Sequence, residues 1–111
     1  VFVPAPYLHS SANFSLYGPR SRLLFSGDIG AALIPPNETA VVVRNFDRHI
    51  AFMTGFHQRW MPSNRAKQVW IDRVSALDIQ FLCPQHGSVF EGEDVARFLQ
   101  WLSDLEVGIA A

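Results

Sequence analysis

Three polar residues occupy the same kind of place along this chain. His9 in PYLHSSANF, Asp28 in LLFSGDIGAA and His86 in FLCPQHGSVF each follow an apolar, strand-like segment and are bracketed by small or turn-forming residues. Open α/β sheets gather ligands at their strand ends, so such residues can converge although the chain separates them widely. Glycines 27, 30 and 87 carry no Cβ and let backbone crowd close to a ligand. Two imidazoles and a carboxylate suit zinc or non-haem iron, whereas magnesium and calcium prefer oxygen. The carboxylate has a further use: its two oxygens can bridge a metal pair about 3.5–4 Å apart, leaving each histidine to one ion. Taken singly, each residue has a plainer reading, an aspartate that forms a turn or a histidine satisfied within a loop. The recurrence of all three is what points to metal.

The elements that must position these residues are legible from the pattern of apolar residues. From Val1 to about Leu8 the chain is apolar and extended, with Pro4 and Pro6 excluding a helix. NFSLY (Asn13 to Tyr17) and RLLFS (Arg22 to Ser26) flank the turn cluster GPRS and predict a hairpin. Asn45 is placed to cap a helix whose apolar residues Phe46, Ile50, Met53, Phe56 and Trp60 recur at helical steps, ending before Pro62. A second helix starts at Ser63 or Asn64, with Ala66, Val69, Trp70, Val74 and Leu77 on one face. DIQFLC (Asp78 to Cys83), bounded by Pro84, reads as an inner strand. A last helix runs from about Glu93 to Glu106, burying Val95, Phe98, Leu99, Leu102 and Leu105, with Gly108 as its stop. The order of strands, two helices, strand and helix predicts an α/β layer arrangement.

Composition narrows the classes of function. Charged residues make up 17% of the 111 and hydrophobic ones 49%, with a formal net charge of −1. That describes a globular chain without the basic field a nucleic acid partner needs. No apolar run approaches the ~20 residues of a bilayer span, so no membrane partner is expected. Cys83 is the single cysteine, which excludes an internal disulfide framework and fits a reducing compartment, the cytoplasm. The first residue is Val1, and VFVPAP reads as an interior strand. The expectation is a piece of something larger, with no second domain within residues 1–111.

YLHSSANF, RLLFSGDIGAAL, GFHQRWMPSN and CPQHG together resemble the second half of a metallo-β-lactamase-fold domain, in the flavodiiron and oxygen-binding di-iron branch. The likeness extends over most of the chain, and the order and spacing of these pieces are more specific than any one of them. It implies part of an αββα sandwich, a mixed sheet with covering helices, with 1–111 as its C-terminal portion. It also implies a site of two iron ions, in which Asp28 bridges the metals while His9 and His86 each serve one. The family draws its other ligands from a motif of the form H-x-E-x-D-H or H-x-H-x-D-H upstream of every residue here, and nothing in the chain replaces it. The ligand set is therefore incomplete, to be completed by an upstream half or another chain. An uncovered sheet face would also favour pairing with a second copy.

The function this resemblance implies is that of a di-iron domain that binds or reduces dioxygen. Reduction in flavodiiron enzymes draws electrons from a flavin domain after the metal domain, and the sequence stops at EVGIAA, so a sensor or carrier of oxygen is the expectation. A zinc hydrolase of the wider superfamily, using metal-bound water with a pKa of about 7, is the alternative; a non-catalytic fragment is the third. No catalytic residue beyond the metal ligands and no organic-cofactor motif stands out, since Ser-His-Asp order, P-loop and dinucleotide glycines are all missing. His57 is expected on the helix surface beside Trp60, with a place lining a pocket above the metals as the alternative; Cys83 is expected in the core before a turn, and the phenylalanines at 14, 25, 46, 52, 56, 81, 90 and 98 chiefly in the core.

Overall fold

The computed structural model describes residues 2–5, 14–35, 41–61 and 63–107. Five strands, β1 (Phe2–Pro4), β2 (Phe14–Gly18), β3 (Leu23–Gly27), β4 (Phe81–Pro84) and β5 (Phe90–Glu91), form one mixed sheet in sequential order. Among the described residues three helices accompany it: α1 (Phe46–Trp60), α2 (Asn64–Ser75) and α3 (Glu93–Asp104). The expected α/β arrangement is what the chain adopts. Every strand pair is antiparallel except β3 with β4, whose parallel pairing requires the long crossover through α1 and α2. That one parallel pair brings the C-terminal ends of β3 and β4 side by side.

The predicted helix starts coincide with local chemistry. The Asn45 side chain accepts the Arg48 backbone N–H at 3.1 Å, and Ser63 accepts that of Ala66 at 3.1 Å. α3 stops at Asp104, two residues short of the expectation, because tertiary bonds capture the following chain. The Leu105 carbonyl accepts from the Lys67 ammonium, and the Val107 N–H donates to the Asn64 side chain. The strand expected from Asp78 is ordered as a strand only from Phe81. Asp78 is instead tied to the hairpin, its carbonyl accepting the Tyr17 hydroxyl and its carboxylate pairing with Arg22 at 2.8 Å.

Strand alternation sorts the sheet into two unlike faces. Val3, Ser15, Tyr17, Leu24, Ser26 and Leu82 point towards the helices and are buried. Trp70 and Val74 of α2, Phe98 and Leu102 of α3 and Met53 of α1 are fully buried with them. Ser15 is no flaw in this core, because its hydroxyl accepts the Trp70 indole N–H at 3.1 Å. On the opposite face Phe2, Leu16, Phe25 and Cys83 stand in one cross-strand row. Of these, Phe2 is 69%, Leu16 41% and Phe25 54% exposed.

Two expectations about packing need correction. The buried face of α1 runs through His49, Met53 and His57, with Phe46 and Ile50 beside it, while Trp60 is 57% exposed. α2 likewise buries Lys67 and Ile71 in place of Val69. A hydrophobicity ranking sets histidine and lysine outside, but His57 and Lys67 lie against groups they can hydrogen-bond, which offsets the cost of burial. Phe90 and Phe98 are core as expected, whereas Phe25 departs from the expectation and lies beside Phe2 and Leu16 on the uncovered sheet face. Cys83 shares that face and is half-buried rather than in the helix-covered core.

Candidate metal centre

Asp28 and His86 emerge from neighbouring loops because β3 and β4 run parallel. Phe25 pairs with Cys83 and Gly27 with Pro84, the register slipping by one residue between them. Past these pairs each strand turns immediately, Asp28 following Gly27 and His86 lying two residues after Pro84. The two loops are stitched together by backbone bonds: the Gln85 N–H donates to the Gly27 carbonyl at 2.7 Å, and the Ala32 N–H to the His86 carbonyl at 3.2 Å.

The loop bearing Asp28 is a tight, internally satisfied turn. The Asp28 carbonyl accepts the Ala31 N–H at 3.0 Å, and the Ser26 hydroxyl donates to the Ile29 carbonyl at 2.6 Å. Ile29 is fully buried and anchors the turn from below. Gly30 sits at φ +94°, where a Cβ would stand 3.0 Å from Pro84 and 3.3 Å from Phe90. Gly87, at φ +116°, would meet the Ala32 backbone nitrogen at 3.0 Å. Both positions therefore require glycine, for the handedness of the backbone and for the approach of one loop to the other.

Within this frame the two donors are free to serve a ligand. His86 is exposed and Asp28 half-buried, and neither side chain is hydrogen-bonded or ion-paired to another described residue. A carboxylate and an imidazole that the fold does not consume, held on braced loops at adjacent strand ends, fit the donor chemistry of an iron or zinc site. His9, the third expected ligand, lies outside the described residues. Among the described residues no group of three or more His, Cys, Asp or Glu is placed to hold a metal ion, and Asp28 and His86 are two candidate donors.

The other two histidines lie in α1 and are built into the protein. His57 is fully buried; its Nδ1–H donates to the Met53 carbonyl at 2.9 Å, and its Nε2 accepts the Gly30 N–H at 2.9 Å. The expected place on the helix surface is thus wrong, and no local pattern announces the Gly30 N–H that meets this ring from 27 residues away. His49 packs edge-on against Phe52 and Phe90, with ring centroids 5.8 and 5.5 Å away. Its Nε2 is buried without a hydrogen-bond partner, and burial pushes its pKa down. Burial pushes the Cys83 thiol up, as its apolar neighbours predict.

A mixed sheet backed by helices, with candidate ligands at the ends of β3 and β4, defines a metallo-β-lactamase-fold protein. Residues 1–87 match the family described as ODP family beta lactamase, and the chain belongs to that family. Solved structures agree. A peroxy di-iron species of the chemotaxis sensor ODP is 41% identical over 96% of this chain and 44% of its own, with a TM-score of 0.89. The apo state of that sensor from T. denticola matches over the same shares, with a TM-score of 0.90. The rubredoxin oxygen:oxidoreductase of Desulfovibrio gigas shares the fold at 18% identity and a TM-score of 0.83, covering 94% of this chain and 27% of its own. No curated protein matches the sequence. The chain thus spans less than half the length of the ODP sensor structures. Among the described residues no helix is long and apolar enough to cross a membrane.

Proposed function

We propose that this chain forms one side of a non-haem di-iron site that binds dioxygen, in an oxygen sensor or carrier. The observation that carries the reading is the uncommitted pair Asp28 and His86 on loops cross-braced at 2.7 and 3.2 Å, in a chain 41% identical to a chemotaxis sensor solved as a peroxy di-iron species. Asp28 would supply the carboxylate and His86 and His9 the imidazoles by which this chain would hold the two irons. When bound, the iron pair supplies the electrons and open positions that dioxygen needs. The residues of this chain present the donors and fix their spacing. They do so through bonds to the backbone of the two loops, made by backbone groups and by the Ser26 and His57 side chains, so the donor side chains themselves stay available.

The remaining ligands are assigned to a portion upstream of residue 1, for which 1–111 is the C-terminal complement. The same portion would cover the face bearing Phe2, Leu16 and Phe25, whose exposure of 41–69% is unusual for three large apolar side chains in one row. In support, more than half of the ODP sensor chain lies outside the match. The free Cys83 fits a reducing compartment, and we assign the protein to the cytoplasm.

The test is metal analysis of the complete protein together with anaerobic oxygen titration followed by its optical spectrum. The expected result is about two irons per chain, as a bridging carboxylate implies, with new absorption on adding oxygen. Asp28→Ala and His86→Ala should each lower iron content while the far-ultraviolet circular dichroism stays unchanged. Full iron occupancy in either variant, or a colourless zinc protein that hydrolyses esters, would overturn the assignment.

A further inference from the structure

We infer that His57 is a positioning residue for the metal centre: a neutral imidazole in α1 that fixes the Asp28 turn by accepting the Gly30 N–H. The inference rests on the assignment of Asp28 as a ligand, and it gives a role to the GFHQRWM segment that the site otherwise leaves unused.

The geometry leaves the ring little choice. His57 is fully buried, and both ring nitrogens are engaged at 2.9 Å, one with a carbonyl and one with an amide N–H. A carbonyl can only accept and an N–H can only donate, so Nδ1 carries the proton and Nε2 the lone pair. A charged imidazole would turn two N–H groups outward and set one against the Gly30 N–H. The ring plane is held by Trp101, edge-on at a centroid distance of 5.5 Å and 87°. This excludes His57 as a metal ligand in this arrangement, since ligation would break a bond at whichever nitrogen it used.

The other end of the contact is equally constrained. Gly30 is buried, two residues from Asp28, in a turn closed by the Ala31 N–H on the Asp28 carbonyl. Its N–H makes no other bond to a described residue. A buried donor of this kind is held wherever its acceptor stands. The turn can neither slide along β3 nor rotate about its glycine without leaving that N–H unsatisfied. His57 therefore transmits the placement of a 15-residue helix to the backbone that carries the Asp28 carboxylate, as outer-shell partners orient ligands in metal sites.

The test uses the complete protein in metal-free and iron-loaded forms. In the wild type, long-range nitrogen NMR of the imidazole should show a neutral ring protonated at Nδ1; a charged ring, or one protonated at Nε2, overturns the inference without any variant. His57→Phe keeps an aromatic ring and removes the acceptor, whereas His57→Gln returns an acceptor oxygen near the place of Nε2. In metal-free protein, Gly30 amide exchange should quicken in His57→Phe and return towards wild type in His57→Gln. Competition with a chelator should show iron held about tenfold more weakly in His57→Phe, with affinity and the iron optical spectrum recovered in His57→Gln. Wild-type affinity in His57→Phe, or no recovery in His57→Gln, overturns the positioning role even if Asp28→Ala loses iron. If Asp28→Ala keeps its iron while Gly30 exchange responds to His57, the ligand assignment fails and the contact stands as a structural one only.

Discussion

The two histidines of α1 show how differently one side-chain type is used inside a single helix. His57 meets a donor and an acceptor and is consumed by them, whereas His49 is packed against Phe52 and Phe90 with Nε2 unpartnered. His49 therefore resists protonation in the fold, its pKa lowered by burial. In the unfolded chain its imidazole returns to the ordinary value of about 6.5. Below that pH the unfolded state binds a proton that the folded state refuses, so stability is full above it and declines as pH falls towards the lowered folded value. Urea unfolding between about pH 7 and pH 5 should show wild-type stability falling by at most about 1.4 kcal/mol per pH unit from this group. His49→Phe should flatten that dependence, and an unchanged slope would refute the account. Asp28, His86 and their flanking glycines were legible from strand-end position and residue type. His57 was not, because its partners lie 27 residues away at Gly30 and four residues back at Met53, and no pattern of hydrophobicity reports a partner.

Between elements, the α2–α3 contact depends on a lysine where the sequence suggests an apolar seam. Lys67 is 2% exposed, and its ammonium donates to the carbonyls of Ser103 and Leu105 at the end of α3. This places a positive group on the negative end of a helix and gives a donor to carbonyls the helix cannot satisfy internally. Desolvation pulls the Lys67 pKa down, and Glu106 and Asp104 oppose it. Lys67→Met retains the aliphatic stem and removes the donor. The expected loss is about 1–3 kcal/mol in urea unfolding, with faster amide exchange at Leu105 and Val107; an unchanged midpoint and exchange would show that water serves those carbonyls as well. The helix caps and the α3 stripe were readable in the sequence because they are local. Where α3 ends was not, since Lys67 and Asn64 capture residues 105–107 from another helix.

Taken together, the elements make a half-covered sheet. Helices bury one face completely, and the other presents Phe2, Leu16, Phe25 and Cys83 in register. If the proposed upstream portion packs there, Phe25 is a core residue of the complete protein. Phe25→Asp should then destabilise that protein by about 3 kcal/mol or more, as truncation of a buried phenylalanine does, and should lower its iron content by loosening the two halves. A protein that keeps its thermal midpoint with aspartate at this position has that face in solvent, and the proposed cover is wrong.

From sequence alone one could read the α/β order of elements, the caps at Asn45 and Ser63, and the strand-end placement of Asp28 and His86. These rest on short-range rules: the period of apolar residues, the geometry of turns, the hydrogen bonds of a helix start. Which face of each helix is buried, where the last helix stops and which histidine is spent on the backbone were fixed only by the folded chain. Each depends on a polar group finding a partner far away in sequence, and that pairing exists only once the crossover has set β4 beside β3.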